Sequence, residues 1–181
     1  MKLLKRIAIG LAILIAIPLI VALFIKKDYA VEREVVINKP KEEVFAYVKY
    51  LKNQDNYSVW ATMDPQMKKS YTGVDATPGF VSAWESEKDD VGKGEQEIKA
   101  IKEGERIDFE LRFLEPMEAK DDAYMITETV SPTQTKVKWG FTGRMNYPMN
   151  VMLVFMDMEE MIGGDLEKGL SKLKSNLETK N

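Results

Sequence analysis

The residues of this chain that could do chemistry are few. Its 181 residues include no histidine and no cysteine. Thiol nucleophiles, disulfides, Ser-His triads, histidine acid-base catalysis and most zinc sites are therefore excluded. Carboxylates, Tyr, Lys and Arg remain. Glu159 falls between Phe155 and Ile162, on the flank of an apolar helical stripe. A carboxylate turned into an apolar pocket keeps its proton more tightly and can act as an acid or base. Beside Asp157 and Glu160, the same residue reads equally as a solvated helix charge. Arg112 and Arg144 could hold an anionic head group, but the alternation around them points both outward. "GKGEQE" lacks the spacing and the following helix of a phosphate loop, and reads as part of a hairpin. "DDVGKGE" lacks calcium-loop spacing. No metal site and no cofactor is expected.

A second group of residues is soft and apolar. "NYPMNVMLVFMDMEEMIGG", Asn146 to Gly164, holds five of the chain's eleven methionines, and Met145 precedes it. Val151, Phe155, Met158, Ile162, Leu166, Leu170, Leu173 and Leu177 recur at spacings of three and four. That spacing predicts one helical stripe running through Gly163 and Gly164. Mid-helix glycines cost ~1 kcal/mol each against alanine, so the pair is expected to mark a bend or a close approach to a neighbour. Met149, Met152 and Met156 stand at i, i+3 and i+7 and widen the apolar arc of the front half. Ordinary core, the wall of a cavity, or an external contact to lipid or protein could each cover such an arc.

The elements that must position these groups are legible as alternation. "YAVEREVVI" reads as a first strand, and Val44, Val48 and Leu51 after Pro40 read as a helical segment. Six further strands follow: "PQMKKSYTGV", "GFVSAWESEK", "GKGEQEIKAIK", "RIDFELRFLE", "DAYMITETVS" and "TKVKWGFTGRM". "KDDVGKG", "KEGER" and "SPTQ" read as hairpins. Ile107, Phe109, Leu111 and Phe113 alternate with Asp108, Glu110 and Arg112, as in an antiparallel sheet covered on one side. Val137, Trp139 and Phe141 repeat the pattern.

The amino terminus is different in kind. Ile7 to Ile25 is uncharged over nineteen residues, close to the ~20 that span a bilayer. A cleaved signal peptide is the competing reading. Its apolar core is usually shorter, and "DYA" offers Asp28 where a small residue is needed. Residues 1–28 are thus expected to be a single-pass membrane anchor and 29–181 a separate domain. Lys2, Lys5 and Arg6 precede the span, while Lys26 and Lys27 follow it beside Asp28. This asymmetry favours an inside amino terminus and an extracytoplasmic domain. The formal net charge of −3, with no basic block, excludes a typical nucleic-acid partner.

Strand, helical segment, six-strand meander and long final helix form an α+β order. "INKPKEEVFAYV", "VWATMDP", "VGKGEQEI" and "MIGGDLEKGLSKLK" resemble the START and birch-pollen-allergen-like helix-grip superfamily. The closer likeness is to its polyketide-cyclase/dehydrase and lipid-transport branch. The resemblance implies a curved antiparallel sheet gripping the final helix, with a cavity between them for an apolar or amphipathic molecule. On that basis the methionine arc is expected to roof the cavity. Its candidate lining is Met149, Met152, Phe155 and Met156, with Phe109, Phe113, Trp139 and Phe141 opposite and Trp60 and Trp84 at the entrance. The expected function is membrane-anchored binding or transport of a lipid-like small molecule. A cyclase or dehydratase, with Glu159 as its first candidate acid, and a module docking on a protein of unknown kind are the alternatives.

Overall fold

Seven of the predicted extended segments pair into one sheet, because each alternates apolar and polar residues and ends at a turn. The computed structural model describes residues 1–89 and 91–179. Asp90, in the predicted "KDDVGKG" hairpin, and residues 180 and 181, at the end of the predicted domain, lie outside the described residues. The strands are β1 (Asp28–Ile37), β2 (Lys68–Thr72), β3 (Val81–Glu85), β4 (Lys93–Lys102), β5 (Arg106–Glu115), β6 (Ala119–Ser131) and β7 (Gln134–Arg144). All neighbours are antiparallel, in the order β1-β7-β6-β5-β4-β3-β2. The helices are α1 (Lys2–Ala22), α2 (Lys41–Val48) and α3 (Met158–Thr179). The sheet curves around α3 in the helix-grip arrangement.

The concave face is built in cross-strand rows. One row runs Arg33, Trp139, Met125, Ile107 and Ile101; the next runs Val31, Phe141, Ala123, Phe109 and Ile98. Leu166, Leu170, Leu173 and Leu177 of α3 are buried against this face, with Val44, Phe45 and Val48 of α2 closing one side. Each such side chain contributes ~1.5–3 kcal/mol through burial. Two of the α3 glycines are explained by close approach. Gly169 lies against the indole of Trp139, where an added Cβ would sit 2.8 Å from Cζ3, and Gly163 lies against the Arg33 guanidinium. Helix α3 is continuous through Gly163 and Gly164, and close approach accounts for Gly163.

The convex face is a lattice of ion pairs. Arg112 reaches Glu95, Glu97 at 2.7 Å and Glu110, and Lys120 reaches Glu110 at 2.6 Å. These partners hold Glu97 and Glu110 below the usual carboxylate range and raise the Arg112 pKa. The outward placement expected for Arg112 is what the structure has.

One expectation is corrected. The predicted helix through Val151–Leu177 is two elements. A 3-10 turn covers Met149–Val154, and α3 starts at Met158. The division is made by Asp157, whose Oδ1 accepts from the backbone N–H of Glu160 at 3.0 Å. That bond caps α3 and stops the upstream turn from joining it. Helix α1 is long and apolar enough to cross a membrane, and its apolar side chains face outward along nearly its whole length.

Candidate ligand-binding cleft

Filling of the concave face falls off along β1. Near the carboxyl end of β1, Ile37 is fully buried, and Lys174 Nζ of α3 donates to the Val36 carbonyl at 2.6 Å. At the amino end of β1 the wall is thinner, because α3 begins only beside Arg33. Arg33 Nη1 pairs with the Glu159 carboxylate, and its Nη2 donates to the Glu159 carbonyl at 3.0 Å. Beyond that point the space between β1 and the chain is an open cleft of ≈ 630 Å³. Tyr29, Val31, Leu153, Met156, Met158 and Glu159 are among its lining residues.

A second cleft of ≈ 520 Å³ lies on the far side of Tyr29, among Asp121, Thr142, Gly143 and Arg144. The Tyr29 ring lies flat on Gly143, where any Cβ would run into it, and stacks on Phe141 with centroids 6.2 Å apart. Asp121 is only 8% exposed, and its Oδ1 accepts from the Arg144 backbone N–H at 3.2 Å. Burial pushes the Asp121 carboxyl above its ordinary range, and the Asp122 charge adds to this. Burial pushes the Tyr29 hydroxyl up to about 12, with the Asp121 charge a lesser cause. A phenol and a reluctantly ionised carboxyl thus stand together in a cleft that Asp28, Lys120, Asp122 and Arg144 also line. That pair can donate or accept one hydrogen bond to the polar end of an apolar guest.

The predicted lining residues fall in three places. Phe109 and Trp139 are buried in the core. Trp60 packs edge-on against Trp139 at 5.9 Å, and Tyr57 does the same from another direction at 5.7 Å. Trp84 and Phe113 form their own edge-to-face pair at 6.0 Å across Gly94, and Trp84 Nε1 donates to the Val91 carbonyl at 3.3 Å. Phe141 stands at the open end beside Tyr29. Of the methionine arc, Met156 and Phe155 line the first cleft, while Met149 and Met152 are exposed beside the end of α1. The Glu159 carboxylate is 62% exposed and committed to Arg33.

Two residues escaped the sequence reading. Asp121 shares the phase of Ala123 and Met125, which places it on the apolar face of β6; the signal was one carboxylate in an apolar register. Tyr29 opens the first strand and shares the face of Val31, a signal that alternation also carried. Among the described residues, no group of three or more acidic side chains is arranged to hold a metal ion.

Comparison with known proteins agrees with this geometry. Residues 29–178 match the family described as polyketide cyclase / dehydrase and lipid transport. No curated protein matches the chain. Solved structures with the same fold include a protein from Nitrosospira multiformis at 16% identity and TM-score 0.59, covering 83% of this chain and 97% of that one. Ara h 8.0201 is similar at 16% identity and TM-score 0.54, covering 83% and 97%. The di-domain ARO/CYC protein BexL from the BE-7585A biosynthetic pathway is similar at 15% identity and TM-score 0.57, covering 85% of this chain and 51% of that one. At these identities the likeness is one of fold.

Proposed function

The chain belongs to the polyketide cyclase / dehydrase and lipid transport family, and from that premise we propose that it binds or carries a lipid-like molecule while tethered to a membrane. The tether is α1, with the folded domain on the extracytoplasmic side as the flanking basic residues favour. The ligand enters at the amino end of β1. Its apolar body lies in the first cleft against Val31, Met156 and Met158, and its polar end reaches past Tyr29, which both clefts share, to Asp121 in the second.

The observation that carries this reading is the unfilled end of the grip. A core sealed by leucines at one end opens, at the other, into a cleft large enough for a drug-sized or acyl-chain guest. The test is native mass spectrometry of the full chain released from detergent, with the Met156→Trp variant as comparison. The expected result is one apolar adduct per wild-type chain and at least a fivefold drop when tryptophan occupies the cleft. An adduct equally abundant in both proteins would mean lipid held by α1 alone, and would overturn the reading.

Asp121 favours a second reading: a cyclase or dehydratase working where the two clefts meet at Tyr29, with this carboxyl as its acid or base. Loss of water from the extracted ligand on incubation with wild type, absent with Asp121→Asn although the ligand still binds, would select it.

A further inference from the structure

We propose that the turn Met149–Val154, with Phe155, is a membrane-surface element that rests in the lipid head-group layer at the point where α1 emerges. This inference rests on the reading of α1 as a membrane span and adds where the folded domain sits relative to the bilayer.

Three observations carry it. The first is a fixed attachment. Asn150 is fully buried, and its Nδ2 donates to the carbonyls of Ala22 at 2.7 Å and Ile25 at 3.0 Å. The last carbonyls of a helix have no partner within it, so a side chain from far along the sequence closes the end of α1. The Met145 N–H adds a bond to the Lys27 carbonyl at 2.9 Å. The turn is therefore held against the foot of α1 rather than hinged to it.

The second is what the attachment leaves outside. Leu23 is 65% exposed, Phe24 85%, Met149 49%, Met152 41%, Val154 59% and Phe155 80%. An apolar patch of this kind is uncommon on a surface that meets water. The third is continuity. The patch begins where α1 ends, and from Ile7 to Val21 α1 is uncharged on all its sides with every residue exposed. A helix of that kind belongs in lipid, and lipid is the one surface that reaches α1 and the patch together. Lys26 and Lys27 follow Leu23 and Phe24 in the chain, and cationic side chains just beyond a span meet anionic head groups. The mouth of the first cleft, lined by Ile25, Lys26, Leu153 and Phe155, then opens at the bilayer surface, and an apolar guest passes between bilayer and cleft without crossing water.

The chain has no cysteine, so each introduced thiol is unique. Met152→Cys, Phe155→Cys, Leu14→Cys and Val130→Cys, all at exposed positions, would each be labelled with an environment-sensitive fluorophore. The full chain is then placed in phosphatidylcholine/phosphatidylglycerol nanodiscs containing nitroxide lipids with the quencher set shallow or deep. The expected result is quenching at Leu14 by the deep label, at least twofold quenching at Met152 and Phe155 by the shallow label, and none at Val130. Quenching at Leu14, with Met152 and Phe155 as bright as Val130, would overturn the proposal and leave the anchor intact. No quenching at Leu14 would remove the anchor and the proposal together. Shielding of Met152 from aqueous iodide without quenching by lipid would assign the patch to a protein neighbour and overturn the proposal.

Discussion

Met149–Phe155 and Leu166–Leu177 lie close in the chain and read as one helix, yet the fold uses them in opposite ways. The leucines are sealed against the sheet, each fully or nearly fully buried. The upstream residues stay largely outside, turned toward the end of α1. Periodicity measures how apolar residues are distributed around an axis; it says nothing of which surface will cover them. Here the leucine half is covered by this chain's own strands, and the methionine half has no such cover.

Mutations can break this contrast, beginning with its strongest side. Leu170→Ala should lower the unfolding free energy by about 2–5 kcal/mol, because it empties a site with no room to collapse; urea denaturation of the full chain in detergent, followed by tryptophan fluorescence, reads it. Gly169→Ala should come next, at about 1–3 kcal/mol, since the new Cβ meets the Trp139 ring inside a packed layer. Gly164→Ala, one turn earlier, meets nothing within 4 Å. It should raise stability by up to ~1 kcal/mol through helix propensity alone. Met152→Ala should stay within about 0.5 kcal/mol of wild type in the same assay, and a core-sized loss there would make the two halves alike after all.

Asp121→Asn sharpens the comparison through pH. Its carboxyl is raised in the folded chain, so the fold favours the protonated form. Stability is then undiminished below the ordinary aspartate value of about 3.9 and declines as pH rises above it. Removing the charge should make the variant relatively more stable toward neutral pH, with the gap closing near pH 4 and below; denaturation midpoints across that range measure it.

Much of this architecture was readable in advance, for a physical reason. Ile107, Phe109, Leu111 and Phe113 alternate because one face of β5 is covered and the other is wet, and that pattern depends on neighbours in sequence. Asp121 was readable too, once its phase was compared with Ala123 and Met125. The division of the last stretch was half readable: Asp157 and Glu160 have the spacing of a helix start, but the apolar stripe masks it. Asn150 was not readable at all. Its partners lie 125 and 128 residues away, and nothing local in "PMNVM" distinguishes an amide that closes another helix from one that faces water. The pairing of Trp60 with Trp139 and of Trp84 with Phe113 was also hidden, because an aromatic on an apolar face can meet another aromatic or a cavity with the same local sequence.

The pairing of β1 with β7 has a further consequence for how the chain is made. Asp28 faces Arg144, and Ile37 faces Thr135. The first strand out of the ribosome therefore has no neighbour in the sheet until about three quarters of the chain has been translated. Contacts this distant in sequence form slowly. Until the last leucines emerge, the hollow side of the nascent sheet lacks its helical cover and is open to non-native contacts.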